Sequence, residues 1–222
     1  MKIVNISQTH NRDNWKEFRR GKITGTSIGK LYAKSRSKDG GFTDRPLQTF
    51  WIKVAERLSI DSGEESPMVR GTRLEDEAVN LACEKLGLTK FVDDALTWQS
   101  DENEEWLCSP DAYEDSEKPT WAMECKCLNT DNHLRMIFND QIDEEYYPQI
   151  TNYFLVNENL EKLYFVLYDP RVALDGLVLK IFTITRNDIS DWIELLKDVR
   201  SKGEAQIMDT VKQLIEIGEQ NG

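Results

Sequence analysis

No stretch of this 222-residue chain comes near the run of about 18 apolar residues that a membrane-crossing helix needs. The opening Met-Lys-Ile-Val-Asn-Ile-Ser-Gln lacks the apolar core and small-residue cleavage site of a secretory signal. Both absences predict a soluble protein of the cytoplasm, without membrane contact. The four cysteines, Cys83, Cys108, Cys125 and Cys127, contain no CxxC pair. That argues against a zinc or iron–sulfur set, and a reducing compartment argues against disulfides, so buried thiols are expected. There are no internal repeats, no low-complexity segment and no linker, which predicts a single domain over 1–222 with a full hydrophobic core.

Positive charge is also scarce. Forty acidic against 28 basic side chains leave a net charge of −12. The basic residues are unevenly placed. Residues 10–40 carry nine (Arg12, Lys16, Arg19, Arg20, Lys22, Lys30, Lys34, Arg36, Lys38) against three acids, a net of +6 that leaves −18 elsewhere. An acidic body with one basic arm disfavours indiscriminate coating of a polyanion. It suits admission of a polyanion along one channel, with metal ions offsetting carboxylates locally.

What is present is a short acidic-and-basic pattern. Residues 109–111 read Ser-Pro-Asp, and 121–126 read Trp-Ala-Met-Glu-Cys-Lys, placing Asp111, Glu124 and Lys126 in the order D-x12-E-x-K. Residues two apart on a strand share a face, so Glu124 and Lys126 point the same way and Cys125 and Cys127 the other. Two carboxylates and an ammonium at a strand end suit a hard divalent cation and a phosphodiester. Asp111 and Glu124 would be ligands, the Cys125 backbone carbonyl a third, and Glu75 a further one through water. Lys126 would orient or deprotonate the attacking water, or neutralise charge in the transition state. Glu75 shares a helical stripe with Val79, Ala82 and Leu86, where a carboxylate is costly unless paired, protonated or metal-bound. Gln149 could hold the scissile phosphate or a metal-bound water; a plain surface amide is the alternative.

Periodicity and breakers supply the scaffold. Helices are expected over residues 12–22, 27–33 (capped by Thr26 or Ser27), 45–60 and 68–86. Residues 95–100 and 106–108 read as a hairpin, with Asp111 at its exit, and 121–128 as a third strand. Residues 132–156 read as a helix broken near Pro148, 163–168 and 176–184 as strands, and 187–202 and 205–217 as closing helices split near Gly203. This order describes an α/β fold with a mixed central sheet flanked by helices.

Seven segments in one order resemble the phage lambda-type exonucleases, the YqaJ-type viral recombinases of the PD-(D/E)xK nuclease superfamily. They are Phe18-Arg19-Arg20-Gly21-Lys22-Ile23-Thr24, then Arg36, then Arg70-Gly71-Thr72-Arg73-Leu74-Glu75. Ser109-Pro110-Asp111, Glu124-Cys125-Lys126-Cys127, Tyr146-Tyr147-Pro148-Gln149 and Tyr168-Asp169-Pro170-Arg171 complete the series. Ala112 stands where the family has glycine, and Leu128 where proline is common. The resemblance implies a restriction-endonuclease-like core. Residues 1–60 would form a basic helical entrance for DNA, and 61–222 the catalytic core and closing helices.

It also implies a Mg²⁺-dependent exonuclease, with Mn²⁺ able to substitute and one or two ions per site. Such an enzyme digests one strand of linear duplex DNA from its 5′ end as a ring-shaped homotrimer. The 3′ single strand left behind would pass to a phage annealing protein, in the cytoplasm of a bacterial host. Glu75, Asp111, Glu124 and Lys126 map to the catalytic set and Gln149 to its helper. Arg19 maps to the 5′-phosphate arginine with Thr24 and Thr26 beside it, and Arg36 to a DNA contact. A guanidinium beside hydroxyl donors makes a good terminal-phosphate clamp. The residues alone leave open another nuclease on this fold (endonuclease or junction resolvase) and a non-catalytic DNA-end-binding module.

Overall fold

The computed structural model describes residues 17, 44–59, 67–93, 97–102 and 106–220. The element order is α1 (Asp44–Leu58), α2 (Pro67–Leu86), β1 (Phe91–Val92), β2 (Trp98–Gln99), β3 (Leu107–Cys108), β4 (Ala112–Glu114), β5 (Trp121–Lys126), α3 (Thr130–Asn139), α4 (Tyr147–Val156), β6 (Lys162–Tyr168), β7 (Leu179–Thr185) and α5 (Ser190–Gln220). Five strands form a mixed sheet in the order β1-β4-β5-β6-β7, and β2 and β3 pair separately as the expected hairpin. The α/β architecture read from the sequence is therefore the observed one. Among the described residues, no helix is long and apolar enough to cross a membrane.

The fold divides into two compact units: Met1–Leu81 with Cys125–Gln141 and Leu167–Lys180, and Ala82–Glu124 with Ile142–Val166 and Ile181–Gly222. In the first, α1 buries Trp51 and Ala55 against Leu134 of α3 and Val172, with Val54 and Leu58 alongside. Trp51 meets Phe138 edge-on, ring centroids 5.3 Å apart. Leu74 and Ala78 of α2 pack with Cys127 and Tyr168. The stripe read from the sequence holds, since Val79 and Ala82 are buried and Glu75 half-buried beside them. At the end of α2 the Leu88 N–H reaches the Cys83 carbonyl (2.9 Å) and the Gly87 N–H that of Glu84 (3.1 Å). This double bond pattern closes a helix through a left-handed residue, and Gly87 supplies it at φ +69° without a Cβ clash.

The same closure, on a non-glycine residue, ends α3. Asp140 sits at φ 48°, its N–H on the Ile137 carbonyl and the Gln141 N–H on that of Met136. The helix expected over 132–156 is thus two helices parted at Asp140. Pro148 does not break it but occupies the first turn of α4, where no backbone donor is needed. The two closing helices are one, with Gly203 inside α5; no neighbouring atom lies within 4 Å of where its Cβ would be.

In the second unit, Tyr147 at the start of α4 stacks on Trp192 of α5, centroids 5.7 Å apart, and Tyr146 tilts onto Phe165 of β6. Met123, Ile150, Phe154, Leu163 and Phe165 are fully buried. Strands β5 and β6 bury consecutive residues, as expected where both faces of a central strand are covered.

Candidate active site

Strand pairing brings together the two segments that carry the carboxylates. β4 runs antiparallel to β5, Ala112 opposite Met123 and Tyr113 opposite Ala122. Just before β4, the Asp111 N–H donates to the Met123 carbonyl at 3.0 Å, so the aspartate backbone lies beside the residue that precedes Glu124. Pro110, buried just before Asp111, restricts Ser109 to extended conformations. The D-x12-E spacing is therefore the length of a β4–β5 hairpin that returns the glutamate to the aspartate.

Glu124 is only 4% exposed, and α4 satisfies both of its oxygens. Gln149 Nε2 donates to Oε1 at 2.7 Å, and the Tyr153 hydroxyl donates to Oε2. Gln149 and Tyr153 stand four apart, so one helical face presents both donors. The Tyr153 hydroxyl also lies 3.1 Å from the Ser109 carbonyl; with one proton to give, it bonds the charged carboxylate. Burial raises the Tyr153 pKa, and the charges of Glu124 and Asp111 raise it further. The phenol therefore stays protonated, a donor at any working pH. Tyr153 was missed in the sequence, where it reads as core within Asn-Tyr-Phe-Leu-Val. The usable sign was its position one turn after Gln149.

Gln149, exposed on α4, is thus brought onto Glu124. Glu75, half-buried on α2, and Lys126, half-buried at the end of β5, belong to the first unit. Along β5 itself, Lys126 keeps the two-residue spacing that puts it on the Glu124 face. Arg19, Thr24, Thr26 and Arg36 lie outside the described residues. Cys83 and Cys127 are buried, Cys108 and Cys125 half-buried, and burial pushes the Cys83 pKa up to about 11. The expected burial is met by Cys83 and Cys127, whereas Cys108 and Cys125 are only partly covered.

Among the described residues, no group of three or more His, Cys, Asp or Glu side chains is arranged to hold a metal ion. The donor chemistry of the second unit nevertheless fits a hard cation. Asp111 and Glu124 are hard oxygen donors of the kind such a cation takes. Donors from Gln149 and Tyr153 fix the carboxylate's rotation, as outer-shell partners of metal ligands do.

A family model for the YqaJ-like viral recombinase domain matches residues 14–159, about two thirds of the sequence. The chain belongs to the YqaJ-like viral recombinase family. All five residues of the expected catalytic set fall inside the matched span. The likeness to YqaJ-type recombinases drawn from the motifs is borne out. The fold of this YqaJ-like chain is similar to the crystal structure of an alkaline exonuclease, LHK-Exo, from Laribacter hongkongensis. That comparison gives a TM-score of 0.55 at 21% identity over 92% of this chain and 99% of that one. LHK-Exo in complex with dAMP gives 0.48 at 19% identity over 90% and 98%. No curated protein matches the chain.

Proposed function

We propose that this YqaJ-like protein is a divalent-metal-dependent exonuclease, which digests one strand of linear duplex DNA from the 5′ end. It would leave a 3′ single strand for an annealing protein in recombination. The observation that carries this reading is the buried Glu124 carboxylate, gripped on both oxygens by Gln149 and Tyr153. A carboxylate buried and oriented this way is built for a task that needs fixed lone pairs.

In this reading Asp111 and Glu124 hold Mg²⁺, or Mn²⁺ in its place, with the Cys125 carbonyl and Glu75 as further ligands. The metal supplies Lewis acidity at the phosphate and a more acidic bound water. The chain's own residues do the rest. Gln149 and Tyr153 hold the Glu124 oxygens in place, and Lys126 orients the attacking water and offsets charge developing on the phosphate. Arg19, with Thr24 and Thr26, grips the terminal 5′-phosphate, and Arg36 contacts the duplex. A homotrimeric ring of such subunits around the DNA, in a bacterial cytoplasm, would keep the enzyme on one strand.

The test uses linear duplexes labelled at defined ends, with and without a 5′-phosphate, beside a covalently closed plasmid. Loss of the 5′-labelled strand, preference for the phosphorylated end and an intact plasmid are expected. Arg19→Ala should erase the preference. Nicking of the closed plasmid would make the protein an endonuclease, and equal wild-type rates on both ends would remove the phosphate clamp.

Tyr153→Phe probes the grip itself. It deletes one donor to a charged acceptor and keeps the buried ring. Such a bond contributes about 1.5–3 kcal/mol, so cleavage should slow by roughly tenfold or more at saturating DNA. A Tyr153→Phe protein with wild-type turnover would show that Gln149 alone holds Glu124.

A further inference from the structure

The Tyr168-Asp169-Pro170-Arg171 segment takes no part in the chemistry above, yet its polar groups are deeply committed. Asp169, 1% exposed, receives Arg171 Nε at 2.7 Å, Arg171 Nη2 at 2.8 Å, the Arg171 N–H at 3.0 Å and the Thr130 hydroxyl at 2.6 Å. Burial alone would raise the Asp169 pKa; the guanidinium and the Thr130 hydroxyl outweigh it, and the carboxyl stays ionised. Arg171 Nη2 also donates to the Leu128 carbonyl at 2.9 Å. Leu128 and Thr130 are the second and fourth residues past Lys126, at the exit of β5 and the start of α3.

Tyr168 works in the other direction. Its ring, 2% exposed, packs with Leu74, Ala78 and Cys127; burial, and then the Glu77 carboxylate near its hydroxyl, raise its pKa. Leu74, Glu77 and Ala78 flank Glu75 on α2. Four consecutive residues at the end of β6 thus clasp the helix that carries Glu75 with one hand and the chain just past Lys126 with the other. All of these contacts lie within the first unit.

Stability is a poor reason for such a device. Buried ion pairs seldom exceed a well-packed apolar replacement, because desolvation offsets their attraction. What a bidentate guanidinium fork gives is direction: a planar, two-point hold that a lysine cannot copy.

We propose that Tyr168, Asp169 and Arg171 are positioning residues, a strut that fixes Glu75 and Lys126 relative to each other for cleavage. The inference rests on the cleavage reading and extends it to residues that touch neither DNA nor metal.

The experiment compares wild type with Tyr168→Phe and Arg171→Lys on end-labelled linear duplex. It reads kcat, KM, thermal melting and backbone hydrogen exchange on the same samples. Misplacement of reacting groups by an ångström costs up to about a hundredfold, so kcat should fall by about fivefold in Tyr168→Phe and about tenfold or more in Arg171→Lys. KM should stay within about twofold, since no DNA contact is touched. Exchange should quicken at residues 127–133 in Arg171→Lys. Adding Glu77→Gln to Tyr168→Phe should cost little more, because both alter the same hydroxyl–carboxylate approach.

Folded variants with wild-type kcat would overturn the strut, and so would a raised KM with kcat unchanged. If Arg171→Lys does not fold, Tyr168→Phe, which loses one oxygen, decides. Should the wild type cut no DNA, the cleavage reading fails, and unaltered exchange at 127–133 would separately remove the strut.

Discussion

Glu124→Gln is expected to lower metal-dependent digestion at least about a hundredfold, the scale set by deleting one preorganised charge at a reacting centre. The substitution keeps shape and volume at a side chain that is 4% exposed, so the fold should persist. Gln149 can turn its amide to meet the new one, and Tyr153 can still donate to its oxygen. What disappears is the negative charge. Lys126→Ala should cause a loss of similar size by a different route, leaving the metal ligands intact while removing the ammonium. Release of label from a 5′-phosphorylated linear duplex in Mg²⁺ measures both, with a melting curve as the check on folding. Either variant retaining more than about a tenth of wild-type turnover would remove that residue from the catalytic set.

The second large effect concerns stability. Arg186 follows β7 and reaches back to the end of α4, the helix that carries Gln149 and Tyr153. Its Nη2 lies 3.1 Å from the Phe154 carbonyl, 3.0 Å from that of Asn157, 3.1 Å from Glu158 and 3.4 Å from Leu160. The guanidinium also sits over the Phe154 ring at 5.4 Å. The last carbonyls of a helix have no partner inside it, and one cation here serves several at once. Arg186→Ala should cost about 3 kcal/mol, the sum of lost charge-assisted bonds and stranded carbonyls. Denaturant unfolding measures it. A loss below about 1 kcal/mol would mean that water replaces the guanidinium at little cost. Arg186→Lys should lie between, since a point charge cannot span the same oxygens.

The acidic pair Asp111 and Glu124 was the most legible part of the sequence because its signal is chemical rather than periodic. Asp111 and Glu124 are costly to bury, and their placement at a strand end beside Lys126 has few structural explanations. The amphipathic stripe of α2 was equally readable, since Val79 and Ala82 repeat at helical spacing. Other features left little trace. β1 and β4 have two and three residues, too short for an alternating pattern to declare itself. The left-handed Asp140 that parts α3 from α4 carries no local mark, whereas Pro148 marks a helix start as readily as a break. Gly203 looked like a stop, but a helix accepts an interior glycine for about 1 kcal/mol. Tyr153 was hidden among apolar neighbours that share its burial. The partners of Tyr168, Asp169 and Arg171 lie far from them along the chain, so no local pattern could reveal them.

The unbroken burial of β6 carries a liability during synthesis. Leu163-Tyr164-Phe165-Val166-Leu167-Tyr168 has no charge, no proline and strong extended-chain preference, the composition that favours intermolecular stacking when uncovered. In the finished sheet β6 is shielded between β5 and β7. A nascent chain stalled or cut before residue 179 has no β7, and that side of β6 stays open to other copies. Lys162 and Asp169 bracket the run as gatekeepers, and production at low temperature with slow elongation suits this molecule best.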